Sequence, residues 1–195
     1  MKVLLYILLA AIGIILLLVL AAVVKTLITP AKKSEFVPKK DAPREEYYAK
    51  KLSEMVKCET VSKVGDPRLD RFEEFHKVLA KLFPLVHNKL DITDLDGNLI
   101  YYWKGQKSDK PVVLMAHQDV VAAEGEWKHE PFSGDIEDGK VWGRGSADTK
   151  CSLCAFLQAV EELLEKDYTP KEDIYLCKMT FRLWLTGIRI LWMIF

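Results

Sequence analysis

Residues 114–150 read LMAHQDVVAAEGEWKHEPFSGDIEDGKVWGRGSADTK, and the order of elements around this run decides the fold class. Its first residues end a short apolar, β-branched segment, 111–116 (PVVLMA), the pattern of a strand buried on both faces. That strand runs straight into His117-Gln118-Asp119. Farther on, Asp138-Gly139 is a tight-turn dipeptide between two short strand candidates. Residues 149–166 then form a helix with Leu153, Phe156, Leu157, Val160, Leu163 and Leu164 on one stripe and the acids and Lys166 off it. Residues 173–177 (DIYLC) begin another strand. Upstream, 89–93 and 99–103 flank an Asp96-Gly97 turn as a strand pair. Residues 44–57 have helical character. A second helix is marked by Asp66 as cap, Pro67 in the first turn and apolar Leu69, Phe72, Val78, Leu79 and Leu82, with Pro84 closing it. Helices alternating with buried strands indicate an α/β fold with a mixed sheet flanked by helices.

The ends of the chain are unlike this middle. The 195 residues carry 28 basic and 28 acidic side chains, a formal net charge of zero that excludes binding to nucleic acid by bulk positive charge. Residues 1–25 hold Lys2 and Lys25 and no acid, and residues 178–195 hold Lys178, Arg182 and Arg189 and no acid. All 28 acids therefore lie in 26–177 against the remaining 23 bases, a formal charge of −5 there. From Val3 to Val24 there are 22 consecutive uncharged residues, long enough for a helix to cross the roughly 30 Å hydrocarbon core. A cleavable signal peptide has a shorter apolar region, about 7–15 residues, so 1–25 is read as a transmembrane signal-anchor. Residues 26–43 form a linker with Pro30, Pro38 and Pro43 and many charges. The bases after the span, counted by the positive-inside rule, favour a cytoplasmic domain, whereas an exported enzyme needs the opposite. The expectation is a single-pass membrane protein with its catalytic part outside the cytoplasm.

Polar residues at the carboxyl ends of buried strands are where α/β folds place their sites. His117 and Asp119, two apart in an extended segment, share a face, as an imidazole ligand and the carboxylate that orients it would. On its own this pair also reads as a histidine hydrogen-bonded at a strand end. GRGSADTK, 143–150, sets Asp148 just before the best helix, where a carboxylate also reads as an N-cap.

Together the two motifs are far more specific. AHQDVV, EGEW followed by PFSG, the Asp-Gly turn and GRG-x-x-D-x-K resemble, in order and spacing, the zinc-dependent metallopeptidase and amidohydrolase family of acetylornithine deacetylase, succinyl-diaminopimelate desuccinylase and the carboxypeptidases. AHQDVV, with YYWKG at 101–105, is most similar to the carboxypeptidase S and N-acyl-amino-acid hydrolase branch. The resemblance implies that His117 binds one zinc, that Asp148 bridges two zincs and that Asp119 is the active-site aspartate orienting His117. It implies hydrolysis of a peptide or N-acyl amino acid by a hydrolase holding two zinc ions. Ala122 stands where the family often has proline. Arg144 and Lys150 match motif positions and read as structural, His129 is left out of the metal set, and His76 and His87 read as solvated. Cys58, Cys151, Cys154 and Cys177 suggest no disulfide framework.

The resemblance covers residues 44–177, the N-terminal part of a zinc-peptidase catalytic domain. After DIYLC the family carries two consecutive glutamates, a general base and a zinc ligand, which align near Arg182 and Leu183. The later acidic ligand, the distal histidine ligand and the lid domain used for dimerisation have no counterpart. The expectation is a truncated or frame-shifted, inactive chain whose residues 178–195 are an out-of-pattern apolar tail. The other reading is a non-catalytic membrane-anchored fragment or interaction module. With Arg182 and Arg189 inside it, the tail is a poor membrane span and a better interfacial helix.

Overall fold

The computed structural model describes residues 2–30, 42–63 and 70–180. They fall into two units, Met1–Lys40 and Asp41–Phe195. The first contains one helix, α1 (Lys2–Ile28), which ends three residues past the expected anchor and is about 40 Å in length. It buries none of its apolar residues, so its whole circumference is available to a non-aqueous phase. Near its end the Thr26 and Thr29 hydroxyls donate to Ala22 O and Lys25 O at 2.9 and 2.6 Å, which keeps both groups paired inside the helix. One helix in the described residues has the length and apolarity to cross a membrane, and a signal sequence passes the same test.

The second unit is built on a four-stranded sheet of order β1 (Asp91–Leu95), β2 (Asn98–Trp103), β6 (Glu172–Met179), β3 (Lys107–His117). β1–β2 and β2–β6 are antiparallel, and β3–β6 is parallel. The β1–β2 turn is Asp96-Gly97, with φ of 51° and 80°, the doubly left-handed turn that this dipeptide favours. A separate two-stranded hairpin, β4 (Ile136–Glu137) and β5 (Lys140–Val141), closes around Asp138-Gly139. The helices α2 (Ala42–Lys57), α3 (Asp70–Leu82), α4 (Pro84–Lys89) and α5 (Cys151–Glu165) pack with the sheet around one core. Leu153, Leu157, Val160 and Leu164 of α5 meet Phe75 and Leu79 of α3, Phe83, and Tyr101 and Leu176 of the sheet there.

Several expectations change. Residues 111–116 are not buried on both faces: β3 is an edge strand of the described sheet, and Val112, Leu114 and Met115 are 45, 37 and 46 % exposed. Burial of a strand on both faces needs layers above and below it, and among the described residues β3 has only β6 beside it. Pro84 closes α3 and also opens α4 at its first turn, where the missing N–H costs nothing. The other N-terminal donors of α4 are met by a residue expected off the apolar stripe. Leu85 N and Val86 N each donate to the buried Glu161 carboxylate at 2.9 Å. The Asp66, Pro67 and Leu69 helix start, and the tail from residue 181 onward, lie outside the described residues.

His76 and His87 are half-buried rather than solvated. His87 Nδ1 is 2.8 Å from Phe83 O and its Nε2 is 3.0 Å from the Tyr101 hydroxyl. Burial lowers its pKa. For His76, burial together with the nearby Lys178 brings the pKa down to about 4. Gln118 Nε2 donates to Gly97 O at 2.7 Å, so Gln118 Oε1 is left to accept from His76 Nε2 at 3.3 Å. A histidine on a polar-looking helix face thus becomes a partner of the buried Gln118 behind the site.

Candidate metal centre

The site is assembled at the carboxyl end of β3. Past His117 the chain leaves the sheet but stays anchored. Gln118 N donates to Met179 O at 2.7 Å, and Val120 N donates to Thr60 O at 2.9 Å. Ser62 N donates to Val120 O at 3.0 Å, and the Thr60 hydroxyl donates to Gln118 O at 2.7 Å. These bonds tie the connection after α2 to the end of β3 and hold residues 117–120 in one conformation. Asp119 is buried, and its Oδ2 accepts from the Ser62 hydroxyl at 2.5 Å. No local pattern flags Ser62; its role exists only because the fold brings it to a carboxylate 57 positions later in the chain.

His117 Nδ1 lies 2.8 Å from Asp119 O and 3.6 Å from Asp119 Oδ1. The close ring contact is thus with the Asp119 main chain, and the carboxylate stands just beyond hydrogen-bond reach. Either partner is an acceptor, so Nδ1 carries the proton and the Nε2 lone pair points the other way. Asp148 Oδ1 stands 3.0 Å from that Nε2. Two acceptors at this distance repel unless a proton or a cation lies between them.

Asp148 reaches this place because it is not a helix cap. It has φ −125° and ψ 92° within the irregular turn Ser146–Lys150, follows no helical path and is 91 % exposed. The peptide joining it to Thr149 is cis. The turn is packed from behind. Gly145, at φ +85°, is so close to Val120 that an added Cβ would lie 2.5 Å from Val120 Cγ1. Lys150 is fully buried and its ammonium donates to Met55 O at 3.0 Å and Cys58 O at 2.7 Å, ending α2. Arg144 lies over the Trp127 ring at 4.7 Å, and its Nη2 is 3.4 Å from Ala122 O. These two cations brace the loops on either side of the site rather than entering it.

Of the predicted site residues, His117, Asp119 and Asp148 are therefore brought together. His129 is elsewhere, with Nδ1 2.9 Å from Asp135 Oδ2 and its ring stacked on Trp142. His117 and Asp148 fit as two donors to one ion: zinc–ligand distances of about 2.0–2.1 Å at a tetrahedral angle put such donors ~3.4 Å apart. Among the described residues no group of three or more His, Cys, Asp or Glu could hold a metal. The pair is a partial set.

The family model of peptidase family M20/M25/M40 matches residues 113–178. Carboxypeptidase S of Saccharomyces cerevisiae is 40 % identical over 139 residues, covering 64 % of this chain and 24 % of that protein. An N-fatty-acyl-amino acid synthase/hydrolase of Danio rerio is 36 % identical over 118 residues, covering 57 % of this chain and 23 % of the relative. Among solved structures, an M20 family metallo-carboxypeptidase from Sulfolobus solfataricus aligns with a TM-score of 0.53 at 25 % identity, over 68 % of this chain and 30 % of the other. The resemblance stated from residues 114–150 holds, and the mixed sheet flanked by helices is that of M20 catalytic domains. The chain spans about a quarter of the length of the curated relatives it matches.

Proposed function

We propose that residues 42–180 form the front of an amide-bond hydrolase site of the carboxypeptidase or N-acyl-amino-acid hydrolase type, in which His117 and Asp148 hold zinc. The observation that carries this is the 3.0 Å approach of two acceptors, His117 Nε2 and Asp148 Oδ1, held by a rigid second set of bonds. Asp119 positions His117: its carbonyl fixes the Nδ1–H tautomer, and its carboxylate, fastened by Ser62, supplies negative charge behind the ring. Two bound zincs in such a site lower the pKa of a shared water and polarise the amide carbonyl. Asp148, exposed and anionic, has the free carboxylate oxygen that a bridge between two cations requires.

For the 195-residue chain itself we propose no turnover. Two converging donors fall short of the three protein ligands usual in a catalytic zinc site, and none of residues 178–195 is an Asp, Glu, His or Cys. The loss of family pattern after Cys177 is read as a change of coding frame. That reading is supported by the family match ending at residue 178 and by the burial of Lys178 with no hydrogen-bond partner among the described residues. Helix α1 is proposed as a membrane anchor, a reading supported by its length and uniform apolarity, and the enzyme-like unit is placed outside the cytoplasm as an exported hydrolase requires.

The test is zinc binding by the full chain in mild detergent, read by elemental analysis and competition with a chromogenic chelator. We expect weak, substoichiometric zinc that is lowered at least about tenfold in affinity by His117→Ala or Asp148→Asn, with no hydrolysis of N-acyl amino acids or dipeptides. Zinc retention indifferent to both changes would place the metal elsewhere. Hydrolysis lost in both variants would show that the chain completes its own site. An acidic Glu-Glu segment in one of the other two frames beyond codon 177 is expected from the coding DNA, and its absence from both would end the frame reading.

A further inference from the structure

Apart from the His117–Asp148 pair, the second unit has a cavity of about 390 Å³ whose lining includes Trp127, Lys128, His129, Lys140, Trp142 and Ser146. Both indole N–H groups are tied down. Trp127 Nε1 donates to Glu124 O at 3.1 Å, and Trp142 Nε1 donates to Glu137 O at 3.3 Å, so the rings offer fixed π faces. Trp142 carries the His129 ring stacked at 4.5 Å and the Lys128 and Lys140 ammoniums at 4.8 and 5.5 Å from its centroid. Lys128 reaches Glu137 only at 3.5 Å, and Lys140 makes no ion pair among the described residues.

Two of the three buried side-chain nitrogens that lack a hydrogen-bond partner among the described residues are here. One is His129 Nε2, which stands 3.1 Å from Glu137 Oε2 without hydrogen-bond alignment. The other is Nε of Arg144, whose guanidinium covers the Trp127 ring. The acids nearby, Asp135 and Glu137, are both engaged with His129, whereas Lys140 has only the indole face. The available charge is positive, and the walls are aromatic.

The geometry points to a binding subsite for a carboxylate ligand with an aromatic or acyl body, the carboxylate on Lys140 and Lys128 and the body against Trp142 and Trp127. Ser146 of the lining precedes Asp148 by two residues, so their Cα atoms are at most ~7 Å apart. The assignment takes its ligand class from the hydrolase reading and rests on it for that, but binding here requires no metal.

The experiment is titration of the full chain, in mild detergent with EDTA, with N-benzoylglycine, following the indole N–H resonances by NMR. The Trp127 and Trp142 resonances are expected to shift saturably while that of the buried Trp103 stays fixed. N-benzoylglycinamide, which lacks the carboxylate, is expected to bind about tenfold more weakly, as is the acid to Lys140→Met, with Lys140→Arg restoring it. Lys140 is exposed, so its variants keep the fold. Equal binding of acid and amide, an unchanged Lys140→Met, or no saturable shift up to about 20 mM would overturn the subsite. Saturable binding in EDTA by a chain that takes no zinc at His117 and Asp148 keeps the subsite and removes the hydrolase reading. Zinc at that pair with no ligand shift removes the subsite alone.

Discussion

Replacing Lys178 with methionine gives the most discriminating test of the packing. Lys178 pairs with Ala116 one position before the end of the β6–β3 ladder, is fully buried, and its ammonium nitrogen has no hydrogen-bond partner among the described residues. The group faces the Phe75 ring at 5.6 Å, the half-buried His76, and Asp94, a carboxylate that attracts it. Burial therefore holds its pKa well below 10.5 in the folded chain. The unfolded lysine keeps its proton up to about pH 10.5, so unfolding takes up a proton throughout the interval between the two values. The destabilisation is full below the folded pKa and vanishes above pH 10.5, and stability rises by about 1.4 kcal/mol per pH unit between them. Summed over pH 8 to pH 10, a lysine neutral when folded accounts for about 2.6 kcal/mol. Lys150, brought down to about 8 by burial, contributes in the same direction, and the Cys154 and Cys177 thiols, pushed up to about 11 by burial, oppose it. All of these cancel in the difference between wild type and Lys178→Met. That difference should favour the variant at pH 8 and shrink toward pH 10, by no more than about 2.6 kcal/mol. Urea unfolding of the full chain in mild detergent, followed by tryptophan fluorescence at each pH, measures it. A difference that is constant with pH, or a variant less stable than wild type at pH 8, would refute the reasoning, because Lys178 would then be charged and partnered in the folded chain.

Glu161→Ala removes the acceptor of the Leu85 and Val86 N–H groups at the start of α4, and a loss of about 3 kcal/mol in unfolding free energy is expected by the same assay, with Glu161→Gln recovering part of it. Gly145→Ala forces a Cβ to within 2.5 Å of Val120 Cγ1 at a φ of +85°, so a destabilisation of at least about 1 kcal/mol should accompany weakened zinc binding, because the strain is relieved by moving the turn that carries Asp148. Wild-type zinc affinity in that variant would show that the Asp148 turn is set without the Gly145–Val120 contact.

Much of the architecture was legible because it depends on nearest neighbours in the chain. Turn dipeptides need left-handed φ, and Asp96-Gly97 and Asp138-Gly139 accordingly mark both hairpins. A 3.6-residue apolar stripe needs one core, and Leu153, Leu157, Val160 and Leu164 form the buried face of α5. Where that reasoning erred, a distant partner had decided the outcome. Glu161, expected only to lie off the apolar stripe, is buried because α4 begins against it, which sequence periodicity cannot show. His76 looked polar-facing because Gln118, 42 residues away, is the group it meets. Residues 111–116 have the composition of a central strand, but pairing order is a property of the whole sheet, and β3 lies at its described edge.

The amino-acid sequence by itself determined the residue types and spacing of the site: His117 two residues before Asp119 at a strand end, and Asp148 just before the apolar-striped helix α5. Tertiary structure alone decided that His117 Nε2 and Asp148 Oδ1 face each other at 3.0 Å, and that Ser62 fastens the carboxylate behind them. It also decided that Lys178 enters the core with no hydrogen-bond partner among the described residues. The reason is physical. Local preferences act over a few residues, whereas the meeting of two acceptors 31 positions apart is set by the register of β3 on β6 and by the packing of the Asp148 turn against Val120.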